Sequence, residues 1–194
     1  MKWIVGIDEA GRGALAGPVS VGAVLVPKGF DWSLIPGVAD SKQVTPKNRE
    51  AIFRRAQKLE KEGKLQYVVS LVSEKIIDKK GITFAVRQGI ERALAKLAPD
   101  PRYTYIKLDG LLNAPDTFPH QKTIIKGDVT EKEISLASIM AKVTRDRYMV
   151  RLAKKHSAYG FEVHKGYGTL AHRKNIKKHG LGVMHRTTFC KSCQ

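Results

Sequence analysis

The order in which strands and helices follow one another constrains the fold of this chain more than any other feature. Short β-branched segments come first in succession and later alternate with segments whose apolar residues recur at helical spacing. Such an order is typical of an α/β fold with a central mixed β-sheet flanked by helices. The predicted strands cover residues 2–8, 19–26, 65–72, 103–108 and 122–125, and the predicted helices cover 45–63, 84–97 and the region from 130 onward.

Two of the predicted helices have recognisable starts. Thr45 and Pro46 are typical of an N-cap followed by proline at the first helical position. Thr130 and Glu133 have the spacing of a capping box, which predicts that a long helix begins at Thr130. The sequence contains no repeat and no segment rich enough in proline or glycine to be a linker. We therefore expect a single domain over residues 1–194, with a short C-terminal tail from about residue 187.

Three of the predicted strands end at acidic residues. These residues are Asp8 and Glu9 after the first strand, Asp109 after the fourth and Asp128 just beyond the fifth. The active crevice of an open α/β sheet lies outside the carboxyl ends of its strands, so the four side chains are expected to meet there. Carboxylates gathered in one place repel one another unless cations intervene. The pattern predicts a site for hard divalent ions, where two ions roughly 3.5–4 Å apart would support in-line displacement at a phosphate.

Each of these acids also has a simpler interpretation. Asp109 precedes a glycine, as turn-forming residues often do, and Asp128 lies two residues ahead of a predicted helix start, where acids compensate the helix dipole. Asp8 and Glu9 are adjacent, and neighbouring residues of a strand point to opposite faces. Both can reach one metal ion only if the strand ends or bulges there. From spacing alone, the structural and the metal-binding interpretations both stay open.

The charge balance of the chain indicates a polyanionic partner. Lys and Arg number 35 against 18 Asp and Glu, which gives a formal net charge of +17. Such an excess repels itself in a folded protein, and nucleic acid is the partner that it favours most, because neutralised phosphates release counterions. A membrane surface is disfavoured by the lack of a basic amphipathic segment, and no apolar run is long enough to span a bilayer. Because acids follow after a short N-terminal apolar run, we expect no signal peptide and a cytoplasmic location.

The segment from Gly6 to Gly13 has two glycines at the interval of a phosphate-binding P-loop. Arg12 and Gly13 stand where such a loop has Lys and Ser or Thr, and two acids occupy the part that would surround the phosphates. Nucleotide binding is therefore disfavoured. Gly11 and Gly13 either form a tight turn or allow the backbone to approach a sugar or phosphate closely, with Arg12 nearby.

At this loop the sequence resembles the ribonuclease HII family, the type 2 ribonucleases H. The resemblance begins at residues 8–13 and 15–19 and continues in order along nearly the whole chain. It implies a ribonuclease-H-like fold and an endonuclease that cuts the RNA strand of RNA/DNA hybrids. The other matching segments are Asp40-Ser41-Lys42-Gln43, Leu108-Asp109-Gly110, Lys126-Gly127-Asp128, Ala137-Ser138-Ile139, residues 141–147, residues 164–169 and His185-Arg186.

The resemblance implies a two-metal-ion reaction and its substrates. The family's catalytic and metal-binding acids, which hold two Mg²⁺ or Mn²⁺ ions, fall on Asp8, Glu9, Asp109 and Asp128. The implied substrates are RNA/DNA hybrid duplexes and single ribonucleotides embedded in duplex DNA. The latter are cut on their 5′ side, which leaves 3′-hydroxyl and 5′-phosphate ends. Ribonucleotide excision during DNA replication and repair is the implied process, and we expect a monomer.

The resemblance also implies residues that contact nucleic acid. In that family the backbone of a Gly-Arg-Gly sequence senses the 2′-hydroxyl at the junction, and a tyrosine packs on the following deoxyribose. These roles fall on Gly11, Arg12, Gly13 and Tyr167. A 2′-hydroxyl distinguishes RNA from DNA, so a close backbone is a suitable reader of it. A lone Lys or Arg is also often an ordinary solvated charge, but phosphate contacts are expected from Ser41, Lys42, Lys142, Arg145 and Lys165.

Two features distinguish this sequence from related groups. The sibling family ribonuclease HIII has Gly-Thr-Gly and an extra N-terminal domain, so Arg12 and the immediate start of the first motif favour ribonuclease HII. Only eight residues follow Arg186, whereas some relatives have a further C-terminal helical segment that helps to hold the duplex. This difference bears on duplex affinity rather than on chemistry.

Alternative functions belong to different classes. A non-catalytic basic module would use the charge alone and leave the acids structural, and a DNA nuclease on a ribonuclease-H-like fold would not require ribonucleotides. Cys190 and Cys193 match half of a zinc site that His179 or His185 would complete, but a single pair of cysteines is a weak signal. None of the six histidines is required as a general base if metal ions activate water.

Overall fold

A five-stranded sheet lies at the centre of the structure, a computed structural model that describes residues 1–38, 44–110 and 112–191. The strands lie in the order β3-β2-β1-β4-β5. β1 pairs antiparallel with β2, and β2 with β3, whereas β1 pairs parallel with β4, and β4 with β5. The strand bounds are Trp3–Ala10 for β1, Val19–Pro27 for β2, Gln66–Val72 for β3, Thr104–Asp109 for β4 and Gln121–Ile124 for β5.

Helices follow the strands and cover both faces of the sheet. No helix in the described ranges is long and apolar enough to cross a membrane. The α-helices are α1 (Pro46–Lys61), α2 (Glu74–Lys80), α3 (Ile82–Leu97), α4 (Gly127–Thr130), α5 (Lys132–Lys155), α6 (Phe161–His164) and α7 (Leu170–His179), with short 3-10 helices at Trp32–Leu34, Ser157–Tyr159 and Thr187–Phe189.

The sheet separates two apolar cores. On one face, Val21 of β2 and Ile106 of β4 pack with Ile90 of α3. On the other face, Val24 of β2 belongs to the core that α1 and α5 complete, with Leu136 among its members. Alternate residues of β2 therefore enter opposite cores, and this strand is buried along almost its whole length. The predicted α/β class with a mixed sheet and flanking helices is confirmed.

Helix α5 approaches the sheet unusually closely because two strand positions lack a side chain. A Cβ atom added at Gly6 would lie 2.2 Å from the backbone carbon of Glu133, and one added at Gly22 would lie 2.3 Å from the carbonyl oxygen of Ala137. Real Cβ atoms do not approach backbone atoms so closely. The two glycines of β1 and β2 thus set the depth at which α5 lies on the sheet.

Several predicted boundaries are confirmed and others are wrong. Thr45 caps α1 through a hydrogen bond that its side chain accepts from the Asn48 amide, with proline at the start of the helix, as predicted. The capping box is wrong, because Thr130 ends α4 and Glu131 precedes α5 without a side-chain cap. β1 extends to Ala10, beyond the predicted end, because its pairing with β2 continues there.

The close packing of α5 makes a quantitative prediction. Gly22→Ala is expected to lower the free energy of unfolding by about 1–3 kcal/mol, because the new methyl group must displace the helix backbone. Urea unfolding followed by circular dichroism measures this change. Gly13→Ala is the control, since a Cβ there would meet nothing within 4 Å. Equal stability of the two variants would contradict the packing role of Gly22.

Candidate active site

The carboxyl ends of β1 and β4 lie side by side at one edge of the sheet. Their parallel pairing ends just before Asp8 and Asp109, which therefore occupy adjacent positions. Helix α4 follows β5 after two residues and carries Asp128 in its first turn. Together with Glu9, these side chains line one cavity of about 420 Å³. The four acids singled out in the sequence thus meet at one cavity.

Burial and mutual repulsion make this group of carboxyls electrostatically costly. Asp8 is only 5% exposed, and burial raises its pKa to about 8, with further increases from the negative charges of Glu9 and Asp109. A hydrogen bond with Ser138 opposes part of this shift. Burial also raises the pKa of Glu9, even though Arg12 favours its ionised form. Ionising these acids together requires positive charge from outside the group.

Three of the four carboxyls accept hydrogen bonds from nearby groups of the protein. Asp8 Oδ1 accepts a hydrogen bond from the Glu9 amide at 2.7 Å, and Glu9 Oε1 accepts one from Arg12 Nη1 at 3.2 Å. Asp109 Oδ1 accepts a hydrogen bond from the Asp128 amide at 3.3 Å. In the described ranges, no three Asp, Glu, His or Cys side chains stand close enough together to hold a metal ion as they are. A shared ion would require these side chains to approach one another more closely.

The chemistry of the donor set nevertheless fits a hard divalent cation. All four groups offer carboxylate oxygens, and Mg²⁺ and Mn²⁺ prefer oxygen ligands. Asp8 and Glu9 both line the cavity, although β1 keeps its regular pairing with β2 as far as Ala10. The β1–β2 pairing shows no bulge at this point, whereas the pairing of β1 with β4 ends after Ile7.

The Gly11–Gly13 loop forms another wall of the same cavity. Gly11 has a φ of +88°, and a Cβ at this position would lie 2.0 Å from Nε of Arg145. The neighbouring Gly13 is exposed and faces open space. The loop therefore needs glycine at its first position for backbone conformation and close packing, whereas its third position presents bare backbone to the cavity.

Tyr167 and Lys142 lie where this cavity meets a second, larger one. Lys142 Nζ is 5.2 Å from the centre of the Tyr167 ring, and it also pairs with Asp146 at 2.8 Å. The second cavity has a volume of about 660 Å³. Lys165 lines it and donates a hydrogen bond to the Glu162 carbonyl. The remaining cationic residues that line it are Arg49, Arg147 and Arg151.

One residue expected to contact phosphate is placed elsewhere. Arg145 is completely buried, and its guanidinium donates to backbone carbonyl oxygens of Ala16, Pro18 and Lys165. This geometry does not support a phosphate contact by Arg145. Ser41 and Lys42, for which such contacts were also expected, lie outside the described residues.

Sequence reasoning missed three residues of the site. Ser138, which hydrogen bonds to Asp8, lies one helical turn before Lys142, and this spacing is a signal that could have identified it. Arg49 of α1 lines both cavities. Arg186 is completely buried behind the Gly11–Gly13 loop. Nothing in the local sequence separates these two arginines from the many others.

The zinc site considered above is not tested by the structure. Cys190 is buried, with its Sγ 3.7 Å from the carbonyl oxygen of Leu15, and Cys193 lies outside the described residues. His185 is in contact with His172.

Three buried histidines support the loop that carries Tyr167. The His164 and His172 rings stack with centroids 4.3 Å apart, and Nε2 of His172 lies 3.1 Å from Nε2 of His185. His172 Nδ1 donates to the Tyr167 carbonyl, so Nε2 of neutral His172 must accept from His185, whose Nδ1 then accepts from the Gly182 amide. Burial, together with the neighbouring histidines, lowers the pKa of His172 to about 4. His172 is therefore neutral at neutral pH.

Comparison with known protein families gives a match over almost the entire chain. The model of the family described as Ribonuclease HII matches residues 5–192. The ribonuclease HII of Endomicrobium trichonymphae is 44% identical over 186 residues, which cover 96% of this chain and 84% of that protein.

Solved structures with the same fold point to the same group. Ribonuclease H2 from Pyrococcus horikoshii superposes with a TM-score of 0.73 at 27% identity, covering 98% of this chain and 96% of that one. The ribonuclease HII in a PCNA complex from Archaeoglobus fulgidus gives a TM-score of 0.77 at 24% identity, covering 95% and 93%. A Bst ribonuclease HIII in complex with Mn²⁺ gives 0.65 at 17%, covering 92% and 63%. These neighbours have the ribonuclease-H-like fold, which confirms the expected fold.

The lowered pKa of His172 makes the stability of the protein dependent on pH. The unfolded chain binds a proton at His172 below about pH 6.5, whereas the folded protein resists protonation until about pH 4. Stability is therefore lost as pH falls through this window. Between pH 7 and pH 5, the wild type should lose about 1–2 kcal/mol more than His172→Asn. Urea unfolding at both pH values measures the difference, and parallel losses in the two proteins would refute it.

Proposed function

The chain belongs to the ribonuclease HII family of metal-dependent endonucleases, and from that membership we propose its substrates and the roles of its residues. It hydrolyses the RNA strand of RNA/DNA hybrids and cuts on the 5′ side of ribonucleotides embedded in duplex DNA. The observation that carries this proposal is the cavity lined by four carboxyls, from the ends of β1 and β4 and the first turn of α4, in a chain of net charge +17. Acids buried in so basic a protein are costly unless they serve a cation.

The carboxyls provide the reacting centre. When bound by Asp8, Glu9, Asp109 and Asp128, two Mg²⁺ or Mn²⁺ ions would supply water activation and stabilisation of the leaving 3′ oxygen, giving 3′-hydroxyl and 5′-phosphate ends. Ser138 holds Asp8 through its hydrogen bond. Arg12, which pairs with Glu9 in the absence of ions, keeps that carboxylate at the cavity wall.

The neighbouring loops provide recognition of the ribonucleotide. Gly11, Arg12 and Gly13 present backbone groups to the 2′-hydroxyl, and the unobstructed position of Gly13 supports a close approach of the ribose. Tyr167 packs on the deoxyribose that follows. Lys142 and Lys165 lie beside Tyr167 along the second cavity, where their charges attract the backbone phosphates. Contacts by Ser41 and Lys42 and a monomeric state remain predictions from the sequence.

Two other functions make different demands on the same residues. A non-catalytic nucleic-acid-binding module would not need carboxyls at the cavity, and neutralising them would strengthen its binding without loss of function. A DNA nuclease would cut duplexes that contain no ribonucleotide. Both alternatives are tested by the same labelled substrates.

The first experiment uses Asp8→Asn and a labelled duplex with one ribonucleotide. Wild-type protein should cut it 5′ of the ribonucleotide in Mg²⁺ and leave it intact in EDTA. Asp8→Asn should lower cleavage at least about a hundredfold, because a charged ligand is lost from the ion site. Binding measured by fluorescence anisotropy should be largely retained.

Two controls make this result specific. An all-DNA duplex of the same sequence should stay intact, and cleavage of it would favour the DNA nuclease. In EDTA, Asp8→Asn should unfold at the same or a higher temperature than the wild type, since it removes a buried carboxyl whose raised pKa destabilises the folded state at neutral pH. Mg²⁺-dependent cleavage by the variant near the wild-type rate would refute the assigned role of Asp8.

The second experiment concerns the junction. Tyr167→Ala should lower cleavage at a lone ribonucleotide about tenfold more than cleavage of a long RNA/DNA hybrid. The reason is that only the junction places a deoxyribose against the ring. Initial rates on the two substrates give the ratio. Equal losses on both would remove the junction-sensing role of Tyr167.

A further inference from the structure

We propose that Arg145 and Arg186 are positioning residues that set the selectivity for ribonucleotides, by holding the Gly11–Gly13 loop and the Tyr167 loop in one fixed arrangement. The inference rests on the proposed function, since it assigns these two loops to recognition. It concerns two residues that contact neither the four clustered carboxyls nor the cavity that these carboxyls line.

Arg145 connects the two loops directly. Its Nε donates to the Pro18 carbonyl at 2.8 Å and its Nη2 to the Ala16 carbonyl at 3.0 Å, both in the segment that follows Gly13. Its Nη1 donates to the Lys165 carbonyl at 2.9 Å, two residues before Tyr167. The guanidinium carbon also lies 5.2 Å from the centre of the Tyr167 ring. One rigid side chain therefore fixes the distance between the loops and supports the tyrosine.

Arg186 holds the first loop from the opposite end of the chain. Its Nη1 donates to the carbonyl of Arg12 at 2.9 Å, the central peptide of the Gly-Arg-Gly sequence. Its Nε donates to the Gly17 carbonyl at 2.9 Å, and its own amide donates to the Leu15 carbonyl at 2.8 Å. The backbone proposed to read the 2′-hydroxyl is thus oriented from behind by a guanidinium.

The electrostatics of this pair argue against a role in stability alone. Both side chains are completely buried, and none of the ion pairs found among the described residues involves either guanidinium. Burial and the nearby charge of Arg145 lower the pKa of Arg186 to about 9. Two neighbouring buried cations stabilised mainly by carbonyl dipoles are costly compared with apolar side chains of similar size. Each planar guanidinium donates hydrogen bonds to several carbonyl groups at once, and an apolar side chain could not replace these bonds.

The test uses Arg145→Lys and Arg186→Lys, which keep the charge but lose the planar fork. Each variant should retain cleavage of a long RNA/DNA hybrid within about threefold, because that substrate offers a 2′-hydroxyl at every position of its RNA strand. Each should lose at least about tenfold at a single embedded ribonucleotide, where a displaced loop has only one 2′-hydroxyl to meet and small misplacements are amplified in the rate. Arg55→Lys is the matched control. It also removes a guanidinium bond to a backbone carbonyl, that of Leu34, away from both loops.

A second measurement does not depend on activity. Hydrogen–deuterium exchange should rise selectively at the amides of residues 11–18 and 165–168 in both variants and stay unchanged in α5 and the sheet. Equal losses on the two substrates, or the same loss in Arg55→Lys, would overturn the proposal. So would global loss of folded structure in both variants, which would make the arginines purely structural. If the wild type cuts no ribonucleotide-containing duplex, the proposed function fails instead, and the exchange result still reports on the loops.

Discussion

The contact between α5 and two strand glycines determines where the parts of the site lie. With its axis held against Gly6 and Gly22, the helix presents Ser138, Lys142 and Arg145 along one face at helical spacing. The first reaches Asp8, the second lies beside Tyr167, and the third joins the two loops. A small outward shift of this helix would separate all three from their partners together. The depth of one helix on the sheet therefore governs chemistry and recognition in common.

The molecule separates its charges into two zones with different purposes. Four carboxyls are drawn into one cavity, where burial raises the pKa of Asp8 and of Glu9. Five lysine and arginine side chains line the adjoining cavity, against the two acids Glu50 and Asp146, in a chain of net charge +17. Attraction of a polyanion and binding of divalent ions are then compatible, because the negative zone is small and lies within a positive surround. The carboxyls alone would not attract a polyanion, and the cations alone would not bind divalent ions.

Patterns of local sequence predicted the five strands, the helices α1, α3 and α5 and the four acids, but not the shorter helices or what depends on distant contacts. The proximity of Asp8 and Asp109 could be predicted from the sequence, because the carboxyl ends of parallel strands lie at one edge of the sheet. The helix start at Thr130 was wrong, since the tertiary fold ends a short helix there before α5 begins. Arg145 was expected at the surface because the sequence shows that a residue is charged but not whether its side chain is buried. Its partners, the carbonyls of Ala16 and Pro18, are 129 and 127 residues away, beyond any local pattern.

The late position of Arg186 in the sequence affects the order in which the chain acquires its structure during synthesis on the ribosome. Its bonds to the Arg12 and Gly17 carbonyls span 174 and 169 residues, nearly the length of the chain. A nascent chain that has emerged only as far as α7 already contains all four acids, the glycine loop and Tyr167. It still lacks the group that orients the loop from behind, and contacts of such separation form slowly. The proposed ribonucleotide selectivity would thus be acquired last, after the four acids have been synthesised and the sheet has had time to assemble.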